Sequence, residues 1–227
     1  YEAATIGRHV LLQGESGVGK EIAAHAFARL LGERGECDGV LHAHNCARMT
    51  NADEATATLF GVGARVFSEV NARRGLLEEA HGGVLFLDEI HELPVRVQRS
   101  LLRFLEDGKS RRIGDDREQA LRVTLVVSTN LPMDEVERDE RVAFDLRSRL
   151  HRVTLPPLNQ RRADVPAIFL HYVREAAQRS NLDEDAVVEG VRTGHLEALC
   201  QADFTQRNVR RLIQLAETMT ARLMVER

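Results

Sequence analysis

The sequence lacks a disulfide framework, a membrane-length apolar run, a marked excess of either charge and any internal repeat. Its three cysteines, Cys37, Cys46 and Cys200, make neither a paired set nor a CxxC motif, which reads as reduced thiols in a cytoplasmic protein. No stretch reaches the roughly 18 apolar residues of a membrane span and no charged-then-apolar leader opens the chain, so a soluble, unexported protein with no membrane role is expected. With 31 basic against 35 acidic residues, a net charge of −4, there is no global attraction to nucleic acid. No low-complexity linker divides the 227 residues, a length sufficient for one large core or for a principal domain with a small companion. The opening YEAATIGRHVLL enters a strand almost at once, as an excised module would.

What is present is an alternation of apolar strands and amphipathic helices. HVLLQ (9–13), GVLHAH (39–44), GGVLFLDEI (82–90), LRVTLVVSTN (121–130) and HRVTLP (151–156) read as strands. EIAAHAFARLL, and Val97, Leu101, Leu102 and Leu105 further on, recur at helical spacing. The pattern predicts an α/β fold with a largely parallel sheet covered on both faces. After Pro156 and Pro157 the composition becomes helical. Val165, Ile168, Phe169 and Tyr172 share one stripe, with Pro166 suited to a first turn. Asp183 to Leu199 continues as helix, interrupted by Gly190 and Gly194, and Val209, Leu212, Ile213, Ala216, Met219 and Leu223 share a final face. The expected division is 1–157, a nucleotide-binding α/β subdomain, and 158–227, a helical subdomain. In HAHNC, His42, His44 and Cys46 alternate onto one strand face, but a zinc site needs at least one further ligand.

The segment GESGVGKE, comprising Gly14, Glu15, Ser16, Gly17, Val18, Gly19, Lys20 and Glu21, fits a phosphate-binding loop between a strand and a helix. Glycines let the backbone curl around phosphates and present N–H groups, while Lys20 reaches the terminal phosphates and the helix N-terminus favours their charge. Glu21 stands where Ser or Thr is usual. At the end of VLFLDE, Asp88 is suited to hold Mg²⁺ and Glu89 to polarise an attacking water, which points to ATP hydrolysis. Asn130, closing another apolar strand, is placed to orient that water or sense the γ-phosphate, and otherwise is a turn asparagine.

These motifs, with NCA, LFG, LPVRVQRSLLRFLEDG, VVSTN, LPPL..RR.DVP and NVRRL in the same order, resemble the AAA+ domain of the sigma-54-dependent transcription activators, the NtrC-like enhancer-binding proteins. The resemblance covers essentially the whole chain and absorbs Glu21, since GKE is common there. It implies a P-loop NTPase core with a C-terminal helical lid, binding ATP and Mg²⁺ and assembling as a homo-oligomer, a hexamer or heptamer, that remodels sigma-54 RNA polymerase. Contact with promoter DNA would belong to other domains. By the same resemblance Asn45 partners Glu89 in a glutamate switch, Asn130 is sensor I and Arg210 is sensor II. Arg149 is an arginine finger whose usual companion is replaced by Ala143, with Arg141 or Arg147 as the alternatives. The family's GAFTGA output loop falls on RVFSEV, where Phe67 and Ser68 match the central pair and both glycines are absent. Two readings stay open: an activator module that contacts sigma-54, and a diverged regulatory or scaffolding AAA+ oligomer that does not. A metabolic kinase would share the phosphate loop but leave the sensor and finger motifs unexplained.

Overall fold

The computed structural model describes residues 9–49, 51–63, 72–138, 141–191, 193–204 and 208–225. Phe67 and Ser68 of the expected output loop lie outside the described residues. By their contacts the residues form two compact units. One holds the residues up to Gln13 with Lys20–Thr154, and the other holds Gly14–Gly19 with Leu155–Arg227.

The first unit is built on five parallel strands in the order β2-β3-β6-β1-β7. Strand β1 (Val10–Gln13) leads to α1 (Lys20–Glu33), and β2 (Leu41–Asn45) precedes α2 (Ala52–Phe60) and the short α3 (Leu76–Glu79). Strand β3 (Val84–Asp88) is followed by a 3-10 turn, Ile90–Glu92, and by α4 (Val95–Asp107). Strands β4 (Lys109–Arg111) and β5 (Glu118–Ala120) pair antiparallel as a separate hairpin. Strand β6 (Thr124–Thr129), helices α5 (Met133–Arg138) and α6 (Phe144–Ser148), and strand β7 (His151–Thr154) complete the unit. The central strands are rich in apolar residues because both sheet faces are covered: Leu85, Leu87, Leu125 and Val127 on one face are fully buried with Leu101 and Leu146 from the helices, and Val84, Phe86 and Val126 on the other are also buried. Each such leucine contributes roughly 1.5–3 kcal/mol by leaving water.

Helix α4 follows its expected stripe with one difference. Phe104 is buried alongside Val97 and Leu101, while Leu102 and Leu105 are only partly covered. The same face buries a polar residue, Gln98, completely.

The second unit is helical beyond the phosphate loop. Two 3-10 turns, Leu158–Gln160 and Arg162–Asp164, precede α7 (Val165–Arg179), whose first turn carries Pro166, where no amide hydrogen is needed. The stretch expected as one helix is two, α8 (Glu184–Glu189) and α9 (Thr193–Gln201), parted after Gly190. Asp183 caps α8 by accepting from the amides of Asp185 and Ala186. Helix α10 (Asn208–Val225) packs Leu212 and Ala216 into a core with Leu158, Phe169, Val173 and Phe204.

Candidate active site

Parallel strands end on the same edge of their sheet, so the polar residues that close β2, β3 and β6 are brought side by side. Asn45 sits in register with Asp88, and Leu87 with Val127, which sets Ser128 to Asn130 beside the two acids. Asp88 is held from both sides: Ser128 Oγ donates to its Oδ1, and Asn45 Nδ2 donates to its Oδ2 at 3.3 Å. Glu89 accepts from Asn130 Nδ2 at 3.3 Å through Oε1. The amide facing Glu89 thus comes from Asn130, while Asn45 serves the neighbouring acid and caps the Cys46–Arg48 turn through the Ala47 amide at 2.9 Å.

Glu89 takes a left-handed backbone, φ 56° and ψ 51°, a conformation a glutamate rarely adopts. Such a residue costs on the order of 1–3 kcal/mol and persists only where its surroundings over-determine it. Here the Glu89 amide is held by Ser128 Oγ at 3.2 Å. Behind it, His91 Nδ1 lies 3.1 Å from Thr129 Oγ1, and burial lowers the His91 pKa against the opposing pull of Glu92 and Glu89. Cys46, buried beneath the acids, has its thiol pushed up to about 12 by burial first and then by the charges of Asp88 and Glu89.

A cavity of about 240 Å³ opens beside Asp88, lined by Glu21, His44, Asn45 and Arg48 among others. His44 Nε2 is buried there with no hydrogen-bond partner among the described residues, and burial, then Arg48, lowers its pKa. The imidazole is therefore neutral at physiological pH. Among the described residues no group of three His, Cys, Asp or Glu is arranged to hold a metal alone. Lys20 is buried at the start of α1.

The phosphate loop itself belongs to the helical unit. Gly17 and Gly19 have φ of 78° and 98°, which only glycine adopts freely. A Cβ on Gly14 would lie 2.8 Å from the Leu155 carbonyl oxygen. Arg210 Nη1 reaches Ser16 Oγ at 3.3 Å, whereas Arg211 turns to the Asp203 carbonyl at 3.0 Å.

Arg149 lies apart from the acids, paired with Glu106 at 2.9 Å, with both side chains about half exposed. An exposed pair of this kind is worth about 0–1 kcal/mol, so Arg149 is readily released to another partner. Arg147 is packed instead, 3.5 Å from Glu137 and stacked over the Phe144 ring at 5.7 Å.

Sequence reading missed three organising polar residues, Ser128 and Gln98 in the first unit and Asn208 in the second. Ser128 reads as one more strand residue. Asn208 is hidden in NVRRL behind its arginines. Gln98 donates to the carbonyls of Leu93 (2.8 Å), Arg141 (3.0 Å) and Ile90 (3.3 Å) and accepts the Ala143 amide at 2.8 Å. Its signal was a glutamine on the buried stripe of an amphipathic helix, since a polar group there needs partners.

Residues 1–156 match the family model of the sigma-54 interaction domain. The phenol regulator MopR of Acinetobacter guillouiae is 41% identical over 169 residues, 72% of this chain and 29% of that protein. The DNA-binding transcriptional regulator NtrC of Escherichia coli K12 is 36% identical over 177 residues, 77% of this chain and 37% of that protein. The chain thus spans about a third of the length of these curated relatives. Crystal structures of NtrX from Brucella abortus share the fold over 97% of this chain and about half of theirs. The complex with ADP has a TM-score of 0.76 at 25% identity, and the complex with ATP 0.73 at 26%. With the family model matched from residue 1 to residue 156 and both relatives well above 30% identity, the chain belongs to the sigma-54 interaction domain family, the AAA+ module of NtrC-like transcriptional activators.

Proposed function

We propose that this chain binds ATP with Mg²⁺ and hydrolyses it, as the nucleotide-driven module of a cytoplasmic bacterial transcription regulator. Residues 1–157 form the nucleotide-binding subdomain and 158–227 the lid. The observation that carries the reading is the pair of adjacent acids at the end of β3, each met by an amide from a neighbouring strand end. In this reading Glu89 takes the proton of an attacking water, with Asn130 orienting it. Asn45 and Ser128 hold the Asp88 side chain in place from either side. The NtrX structures with ADP and ATP support the nucleotide class.

The donor set suits Mg²⁺, a hard ion bound by one or two carboxylates together with waters and phosphate oxygens. Asp88 would hold it, with Glu21 lining the same cavity. When bound, the ion neutralises charge on the phosphates. Gly14 to Lys20 bind the phosphates, and Arg210 senses them from the lid. Arg149 acts across the interface of a homo-oligomeric ring, a hexamer or heptamer, where a guanidinium stabilises transferring charge on a neighbour's nucleotide.

One sequence observation favours a second reading, a regulatory or scaffolding oligomer without sigma-54 contact: RVFSEV carries Arg65 and Glu69 and neither glycine of the family loop. One set of variants tests both. Lys20→Ala should weaken ATP binding in calorimetry at least tenfold, whereas Glu89→Gln should bind normally and turn over at least a hundredfold more slowly. Equal ATP affinity of Lys20→Ala and wild type would remove the assigned site. The nucleotide-trapped Glu89→Gln form is then offered to sigma-54 holoenzyme, with Phe67→Ala alongside. Phe67-dependent capture supports the activator reading, and its absence the scaffold.

A further inference from the structure

We infer that Asn208 is a positioning residue for nucleotide binding: its carboxamide sets the shape of the phosphate loop through Glu15. The inference rests on the nucleotide-binding reading above, and concerns only groups within the helical unit.

Asn208 opens α10 with φ 43°, and it is 1% exposed. Few side chains tolerate that backbone, asparagine, aspartate and glycine best among them. The buried site also makes two opposite demands. On one side the Leu158 amide donates to Asn208 Oδ1 at 2.8 Å. On the other, Asn208 Nδ2 donates to Glu15 Oε2 at 3.0 Å and to the Ser16 carbonyl at 3.4 Å. Glycine offers neither group, and aspartate would set a second carboxylate against Glu15. Asparagine alone of the three meets the backbone, the donor and the acceptor together.

The neighbours of Asn208 extend the same hold. The Val209 amide donates to the Gly17 carbonyl at 2.9 Å, and Arg161 Nη2 donates to the Val18 carbonyl at 2.5 Å. With Arg210 on Ser16 Oγ, every loop residue from Glu15 to Val18 is bonded to the helical unit. These bonds to loop carbonyls and side chains fix the loop without engaging its amides, the groups phosphate binding needs, and the Val18 amide turns inward to the Glu15 carbonyl at 3.4 Å.

The test is a donor–acceptor exchange. Asn208→Asp keeps the acceptor for Leu158 and removes the donor for Glu15. Glu15→Gln supplies a new donor that meets the introduced carboxylate in the double variant. Titrating ADP by calorimetry, Asn208→Asp should bind about tenfold or more weakly than wild type, and the double variant should regain affinity relative to Asn208→Asp. Amide hydrogen exchange of residues 15–19 without nucleotide should rise in Asn208→Asp and fall back in the double variant. A folded Asn208→Asp with wild-type ADP affinity and unchanged exchange overturns the proposal, as does a double variant no better than the single one in both readouts. Should Asn208→Asp fail to fold, Glu15→Ala, altered on an exposed residue, replaces it and must raise exchange at 16–19. Lys20→Ala serves as the control for the nucleotide reading: it should lose ADP. If wild type itself does not bind ADP, the nucleotide reading fails and the exchange result alone decides the role of Asn208.

Discussion

Ser128 places a single hydroxyl between the two acids, donating to Asp88 and accepting from the Glu89 amide at 3.2 Å. It is fully buried, so no water replaces that hydroxyl. Ser128→Ala is expected to leave the Glu89 amide without its partner and to cost about 1–3 kcal/mol, read as a lower urea midpoint at constant m value. Because the same amide sits in the left-handed turn, turnover should fall further than ATP affinity. A variant as stable as wild type would show that the turn is held without Ser128. The acids themselves were legible, since two carboxylates ending an apolar strand are a local pattern. Which hydroxyl or amide meets which carboxylate was not, because that depends on strand register, and register is set by pairing rather than by either strand alone.

Among the elements, α4 links the 3-10 turn that follows Glu89 to the segment entering α6. Gln98 bonds Ile90 and Leu93 on one side, and Arg141 and Ala143 on the other. Gln98→Leu keeps the approximate volume but takes this partner from the buried Leu93 carbonyl and Ala143 amide and from the part-buried Arg141 carbonyl, while the Ile90 carbonyl keeps the Leu93 amide. The expected loss is about 3 kcal/mol or more in chemical denaturation, because several unsatisfied groups are created at once. A loss under about 0.5 kcal/mol, the scale of an ordinary surface change, would rule out this linking role. Helix α4 was legible from its apolar spacing, and β1, β3 and β6 from their apolar runs. The β4–β5 hairpin was not. KSRRIGDDREQA has no apolar alternation, and the hairpin rests on backbone pairing and on the bridge from Val62 to Ile113.

For the whole molecule, three histidines couple stability to pH. His9 is lowered by burial, and its Nδ1 accepts the Leu125 amide at 2.9 Å; His44 and His91 are lowered chiefly by burial. Their folded pKa values lie below the ordinary 6.5, so in the window below pH 6.5 the unfolded chain binds more protons than the folded one. The stability they contribute is complete above about pH 6.5 and is lost as the pH falls toward their folded values. Thermal melts at pH 7.5 and 5.5 should show a lower Tm at the acid end, where each 1 kcal/mol lost corresponds to about 2–4 °C for a chain of this size. A Tm unchanged across that range would contradict neutral burial of these side chains.

The sequence by itself determined the alternation of strands and helices, the phosphate loop, the two acids after β3 and the turn to helix after the paired prolines. Each rests on periodicity or on glycine and proline spacing within a few residues, where local sterics decide. Tertiary structure decided which amide faces which acid, that Arg149 is held loosely by Glu106, and that the phosphate loop is bonded to the helical unit through Asn208. Glu15 and Asn208 are 193 residues apart in the chain, and Asp88 and Ser128 are 40 apart. No local pattern encodes such pairs: a buried donor takes whichever acceptor the packed backbone brings within reach, and only the assembled core settles that choice.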